Sequence, residues 1–284
     1  MKTRTIFLRI VAFCAMFFIV SCSKNSKSPQ NLISSEKTAN SSEDPLAHVP
    51  MPAKLDSAMR KSFDAETYVE LKKLNSKNVK SFYITKENYL SMIDNLPENA
   101  EKVVFSFVQF NKSKFPNKYK ELYKFDGSLY MLYYYLDKDG DNITGKTYAV
   151  LSIKNAVEVS EADFNTMFQD YKTNIKPEID HFVKGPQGNT LSVNLAKSDL
   201  LAYKEKLDNR KDIGKFKITL AQWVNVPDFV SKGQIKILSS RLSAFTEDTA
   251  GQMTFITDCE NLNGEDINSL SGDDMNTLCP QDCP

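Results

Sequence analysis

Histidine is almost missing from this chain: His48 and His181 are the only two in 284 residues. That scarcity removes the commonest general base and the commonest metal ligand from most conceivable sites. No G-x-S-x-G elbow and no H-E-x-x-H pair occurs, so serine-hydrolase and zinc-protease chemistry lack their sequence frame. Asp180 stands beside His181 without an evident nucleophile, and His181 reads as a helix-end residue. Excess basic charge is also missing, with 36 Lys and Arg against 36 Asp and Glu. A nucleic-acid binder should be clearly basic, so that class is excluded. Beyond the first twenty residues no long apolar run remains, and only one stretch invites discussion of a membrane.

That stretch opens the chain. Lys2, Arg4 and Arg9 precede an apolar run from Ile10 to Val20, too short to span a bilayer but suited to a signal-peptide core. It ends in Ile19-Val20-Ser21-Cys22, which resembles the lipobox of bacterial lipoproteins. The resemblance implies a signal peptide over 1–21, cleavage before Cys22, and palmitate-type acylation of Cys22 as a lipid anchor. Several acyl chains hold a membrane stably, at about 0.8 kcal/mol per buried methylene. Residues 22–52 are rich in Ser, Asn, Lys and Pro and poor in large apolar residues, the composition of a flexible tether. No acidic run follows Cys22, so an outer-membrane anchor facing the periplasm is the expected location. Without the leader the chain holds 33 basic and 36 acidic residues, a net charge of −3.

Cysteine is sparse and unevenly placed. Cys14 leaves with the leader and Cys22 takes lipid, so Cys259, Cys279 and Cys283 enter an oxidising compartment. Cys279 and Cys283 are spaced C-x3-C, unlike the C-x2-C of redox enzymes, and favour a small terminal disulfide. Pairing of Cys259 with either one is the alternative.

Between tether and tail, hydrophobic periodicity alternates between strand and helix. Residues 82–84 read as a strand, 86–96 as a helix and 102–110 as a strand; 191–195, 197–207 and 215–222 repeat that order. A gap-free comparison sets Lys86 against Lys197, Leu90 against Leu201, Leu96 against Leu207 and Phe105 against Phe216. Gly145 to Val150 and Gly251 to Ile256 look alike as the closing strand of each unit. A helix candidate precedes each: 53–74 in the first, and in the second a stretch opened by the capping-box pattern Ser160-Glu161-Ala162-Asp163. The expected fold is α+β: two tandem helix/strand-helix-strand units, 53–157 and 158–284, with antiparallel or mixed sheet. The second unit carries an acidic, cysteine-containing tail.

The second unit resembles a family of uncharacterised lipoproteins from Bacteroidota. The resemblance rests on Val159 to Phe164, Leu200 to Leu207, Phe216 to Leu220, Thr254 to Thr257 and the closing Cys-Pro-x-x-Cys run from Leu278 to Cys283. Gln281-Asp282 and an insertion from Val224 to Ala250 depart from it. It implies a location and a Cys-Pro tail, not a reaction.

Five readings invite stronger claims. Gly140 to Thr147 satisfies G-x4-G-K-T, but residues 147–153 are strand formers where a phosphate loop needs a helix. Asp137, Asp139 and Asp141 offer a weak calcium loop, yet Asn142 and Tyr148 stand where an EF-hand needs Gly and Glu; a hairpin turn is preferred. The strand 129–136 shows Tyr130, Tyr133, Tyr134 and Tyr135 as ligand-facing aromatics, unless both its faces are core. Upstream lies a basic and aromatic connection from Lys112 to Phe125, able to meet anionic headgroups or to be a solvated link. After Arg241 there are nine acids and no cation, the pattern of a solvated tail.

Together these features suggest a lipid-anchored envelope module that binds an envelope protein or glycan, without cofactor or metal. A carboxylate-dependent hydrolase acting on glycan is the alternative, because acids are abundant and their pairing depends on the fold.

Overall fold

In the helix Ala53–Ala65 (α1) Leu55, Met59 and Phe63 fall four residues apart, which places them on one face, and all three are buried. The computed structural model describes residues 51–143, 146–149, 156–233, 246–267 and 277–279. Contacts divide the chain into Met1–Ser42 and Glu43–Pro284, and the described residues belong to the latter. The single helix expected over 53–74 is two, because Glu66 breaks it at φ −119° and ψ −88° before α2 (Thr67–Leu74). The break lets three side chains converge on one buried amide. Thr67 donates to Gln222 Oε1 at 2.6 Å, while Gln222 Nε2 donates to Ser62 Oγ at 2.8 Å and to the Glu66 carboxylate.

The strand-helix-strand order follows twice: β1 (Ser81–Thr85), α3 (Lys86–Asp94) and β2 (Lys102–Gln109), then β6 (Ser192–Ala196), α6 (Lys197–Asp208) and β7 (Ile213–Gln222). Between them run β3 (Leu129–Leu136), β4 (Lys146–Ala149), β5 (Val157–Ser160), α4 (Glu161–Asp170), a π-helical turn over Tyr171–Ile175, and α5 (Lys176–Asp180). The short helix α7 (Val226–Ser231) and the strands β8 (Met253–Asn261) and β9 (Thr277–Cys279) complete the described elements. Ser160 caps α4 by accepting the Asp163 N–H at 3.3 Å, as the capping pattern predicts.

The strands form two antiparallel sheets, β1-β7-β8 and β5-β4-β3-β2-β6-β9, so the fold is α+β. Neither sheet belongs to one half of the chain. β1 pairs with β7, β2 pairs with β6, α1 packs over β7, and α4 packs over β2. The exchange is reciprocal: each strand-helix-strand run lends one strand to each sheet. Thr85 lies opposite Lys215, and its counterpart Ala196 lies opposite Lys102. Perfect symmetry would set Ala196 against Val104, and the shift of two residues leaves every side chain on its original face. Lys86 and Lys197, each the first residue of its helix, also reach across. Lys86 Nζ donates to the Arg210 carbonyl at 2.6 Å, and Lys197 Nζ to the Glu98 carbonyl at 2.7 Å.

One expected correspondence fails. β8 pairs along β7 as β3 pairs along β2, so the counterpart of the strand after Gly251 is β3 and not the strand after Gly145. The connection from β7 to β8 is longer than that from β2 to β3, which displaces the counterpart along the sequence.

The core lies where the sheets meet. Phe105 of β2 contacts Phe255 of β8 at 5.4 Å between ring centres, and Phe82 of β1 contacts Tyr130 of β3 edge-on at 5.7 Å. Each such ring, closed from water, contributes about 2–3 kcal/mol, more than the hydrogen bonds around it.

Candidate functional site

The residues marked out by sequence fall into different settings. Asp137 Oδ1 accepts the N–H groups of Asp139 and Asp141, both at 2.9 Å, and Gly140 takes φ +85°. The aspartate thus closes a turn, and among the described residues no group of three or more His, Cys, Asp or Glu could hold a metal ion. The segment after this loop continues as strand β4, not the helix a phosphate loop requires; residues 144 and 145 lie outside the described residues.

The tyrosines of β3 do not form an open stacking face. Tyr130, Tyr133 and Tyr135 are buried, because β3 sits between β2 and β4 with side chains packed on both faces. Tyr135 donates to the Met92 carbonyl at 2.9 Å, and Tyr133 stacks on Tyr148 at 5.1 Å. Burial pushes the Tyr133 phenol up to about 12 and raises Tyr135 further. Tyr134 is half-buried against Phe164 of α4.

His181 caps the end of α5 with its ring 3.9 Å from that of Phe182. The Cys259 sulfur is buried 3.2 Å from the Tyr203 hydroxyl. Cys22 and Cys283 lie outside the described residues, and Cys279 is described only as backbone in β9, so the terminal disulfide does too.

The acidic C-terminal stretch needs correcting. Asp258 and Glu260 belong to β8, where they are buried rather than solvated, and each meets a cation. Arg60 of α1 holds Asp258 with two bonds, Nη1 to Oδ2 at 2.9 Å and Nη2 to Oδ1 at 2.8 Å, and also holds Asp56. Burial works to lower the Arg60 pKa, but its hydrogen bonds to Asp258 and Asp56 prevail and raise it. Lys215 pairs with Glu260 at 2.9 Å while lying over the Tyr83 ring. An open hollow of about 450 Å³ lies nearby on α1, lined by Ala53, Lys54, Ser57, Ala58, Lys61 and Phe229.

The most built-up surface is the connection from Asn111 to Asp126, between β2 and β3. Its aromatic residues turn inward: Phe110 stacks on Phe115 and Tyr123, and Tyr119 meets Phe115 edge-on. Asn117 and Tyr119 both lie in the left-handed region, at φ 66° and 52°. Such a backbone costs about 1–2 kcal/mol at tyrosine, so contacts elsewhere must hold it. Asp163 of α4 supplies them, accepting from the Tyr119 hydroxyl at 2.6 Å and from Lys118 at 3.0 Å. Burial acts to raise the Asp163 pKa, but hydrogen bonds from Tyr119, Lys118 and Ser160 hold the carboxyl below its usual range. The Tyr119 hydroxyl in turn accepts the Ser160 N–H at 3.4 Å, which places a side chain from the loop inside the cap of α4.

A second anchor lies where α4 gives way to the π-helical turn, a feature often found at functional positions. Asp170 is buried there, accepting from Asn111 at 2.7 Å and from Lys114 at 2.5 Å. Asn174 adds a bond to Gln109 Oε1 at 2.8 Å. Sequence singled out the lysines and aromatics of this loop but neither Asp170 nor the role of Asp163, because a buried aspartate in a helix has no local signature. Pro116-Asn117 is a turn signal for the first left-handed residue, and nothing marks the second.

No protein-family model matches the sequence, no curated protein matches it, and no solved structure matches its fold.

Proposed function

We propose that this chain is a lipid-anchored lipoprotein of the cell envelope, whose folded part binds an envelope component rather than transforming one. The carrying observation is the N-terminal order of cations, short apolar run and Ile19-Val20-Ser21-Cys22, followed by a polar stretch that ends where α1 begins. The module is held at the periplasmic face of the outer membrane. Two features support binding over chemistry. Asp56 and Asp258, which flank Arg60, are both engaged by it, whereas a glycan hydrolase needs one carboxyl kept protonated. Asp163 and Asp212 are displaced the opposite way, with hydrogen bonds holding both carboxyls low, Asp212 at about 2.

The test is metabolic labelling with an alkyne analogue of palmitate, followed by detergent phase partition. The native chain takes label and enters the detergent phase; Cys22→Ala does neither. Label retained by Cys22→Ala, or a water-soluble native chain, sinks the proposal.

A further inference from the structure

The loop between β2 and β3 carries Lys112, Lys114, Lys118, Lys120 and Lys124 within thirteen residues, and no arginine. Its charges are layered. The side chains of Lys112, Lys114 and Lys118 are 56%, 48% and 61% exposed, while their partners Asp126, Asp170 and Asp163 are 24%, 9% and 17% exposed. The carboxylates therefore form an inner layer that steadies an outer layer of ammonium groups. Lys120 adds to that outer layer with an exposed side chain, and the exposed Glu121 beside it is the one loop carboxylate outside the inner layer. Every large apolar side chain of the loop faces inward, and Phe115, Leu122 and Phe125 are buried.

We infer that the loop 111–126 is a docking face for an anionic phospholipid headgroup layer. Four observations decide among anionic partners. The cations are all lysine, point charges suited to a diffuse layer of phosphates, where paired recognition of one carboxylate or phosphate favours arginine. The aromatic rings are turned inward, so no platform exists here for stacking a sugar. The hollow on α1 is lined by none of these lysines, so it offers them no enclosed site for a small ligand. The strained backbone is fixed by Asp163 and Asp170, so the lysine array is preformed and loses little freedom on docking. The choice of a membrane as partner rests on the anchored reading. On that reading the polar segment from Cys22 links anchor to module and keeps the surface near the membrane, so weak contacts count.

The test uses the chain from Cys22 onward without lipid, so that its outcome is independent of acylation at Cys22. Sedimentation with phosphatidylcholine vesicles is compared with vesicles containing phosphatidylglycerol. The chain is expected to bind only the anionic vesicles, more weakly as salt rises. Lys120→Gln should weaken binding about fivefold with the thermal midpoint unchanged, and K120Q/K124Q about 25-fold, although Lys124 also lies over the Phe125 ring at 5.0 Å. Equal binding to both vesicles would overturn the inference, as would a double variant that binds like its parent. So would capture by an acidic polysaccharide with no binding to vesicles. Loss of palmitate label in cells would sink the anchor and leave the vesicle result standing.

Discussion

Arg60 and Asp258 stand 198 residues apart in sequence, and their bond fastens the first helix to β8. Replacing Arg60 by Met keeps the apolar stem and removes the charge, leaving the Asp258 carboxyl at 7% exposure without its cation. Stranding a fully buried carboxylate costs about 3–5 kcal/mol. Here the penalty is smaller, because a quarter of the Arg60 side chain is exposed and the Thr219 hydroxyl lies 3.5 Å from Asp258 Oδ2. The expected loss is about 2–3 kcal/mol, or a thermal midpoint lower by roughly 5–10 °C. Adding Asp258→Asn removes the stranded charge, so R60M/D258N should recover about 1.5 kcal/mol of that loss. Urea unfolding of the two single variants and the double variant measures the coupling. An R60M variant within about 0.5 kcal/mol of the parent, or a double variant equal to the sum of the singles, would refute the reasoning.

Two further outcomes follow from backbone and burial. Gly251 has φ +92° and a Cβ there would stand 2.0 Å from the Phe182 carbonyl oxygen, whereas a Cβ at Gly233, φ +65°, meets no described atom within 4 Å. Gly251→Ala should therefore lower the thermal midpoint by more than about 5 °C and Gly233→Ala by less than half as much; equal effects would count against the close approach. At high pH the buried phenols set the limit. Tyr133 ionises near 10 when unfolded and about 12 when folded, so its stabilisation is complete below pH 10 and is lost as pH rises toward 12. Phenolate absorbance from the buried tyrosines should grow together with loss of circular dichroism, and ionisation within a folded chain would contradict their burial.

The alternation of strand and helix was legible because it rests on local periodicity: Lys86 and Lys197 do open helices, and Phe105 and Phe216 are buried in strands. The partners of those strands were not legible. β1 could have paired with β2 in its own unit, and only the assembled sheets set it against β7. The aromatic loop was half legible. Its lysines and rings are visible in sequence, but their separation into an outer and an inner layer depends on Asp163 and Asp170, about 50 residues away. The acids of β8 misled for the opposite reason. Their charge signals solvent locally, and the cations that permit burial, Arg60 and Lys215, come from α1 and β7.

The reciprocal lending of strands also governs the order in which a newly made chain can fold. When residues up to β5 have emerged, β1 has no neighbour in its sheet and β2 lacks β6, so an unfinished chain offers open strand edges to other unfinished chains. The first sheet cannot form until β7 arrives, more than two hundred residues into synthesis, and the second waits for β6 and then β9. Such distant pairing slows folding. On the proposed reading of an exported lipoprotein, that delay would keep the chain fit for transport until its last strands are on the far side.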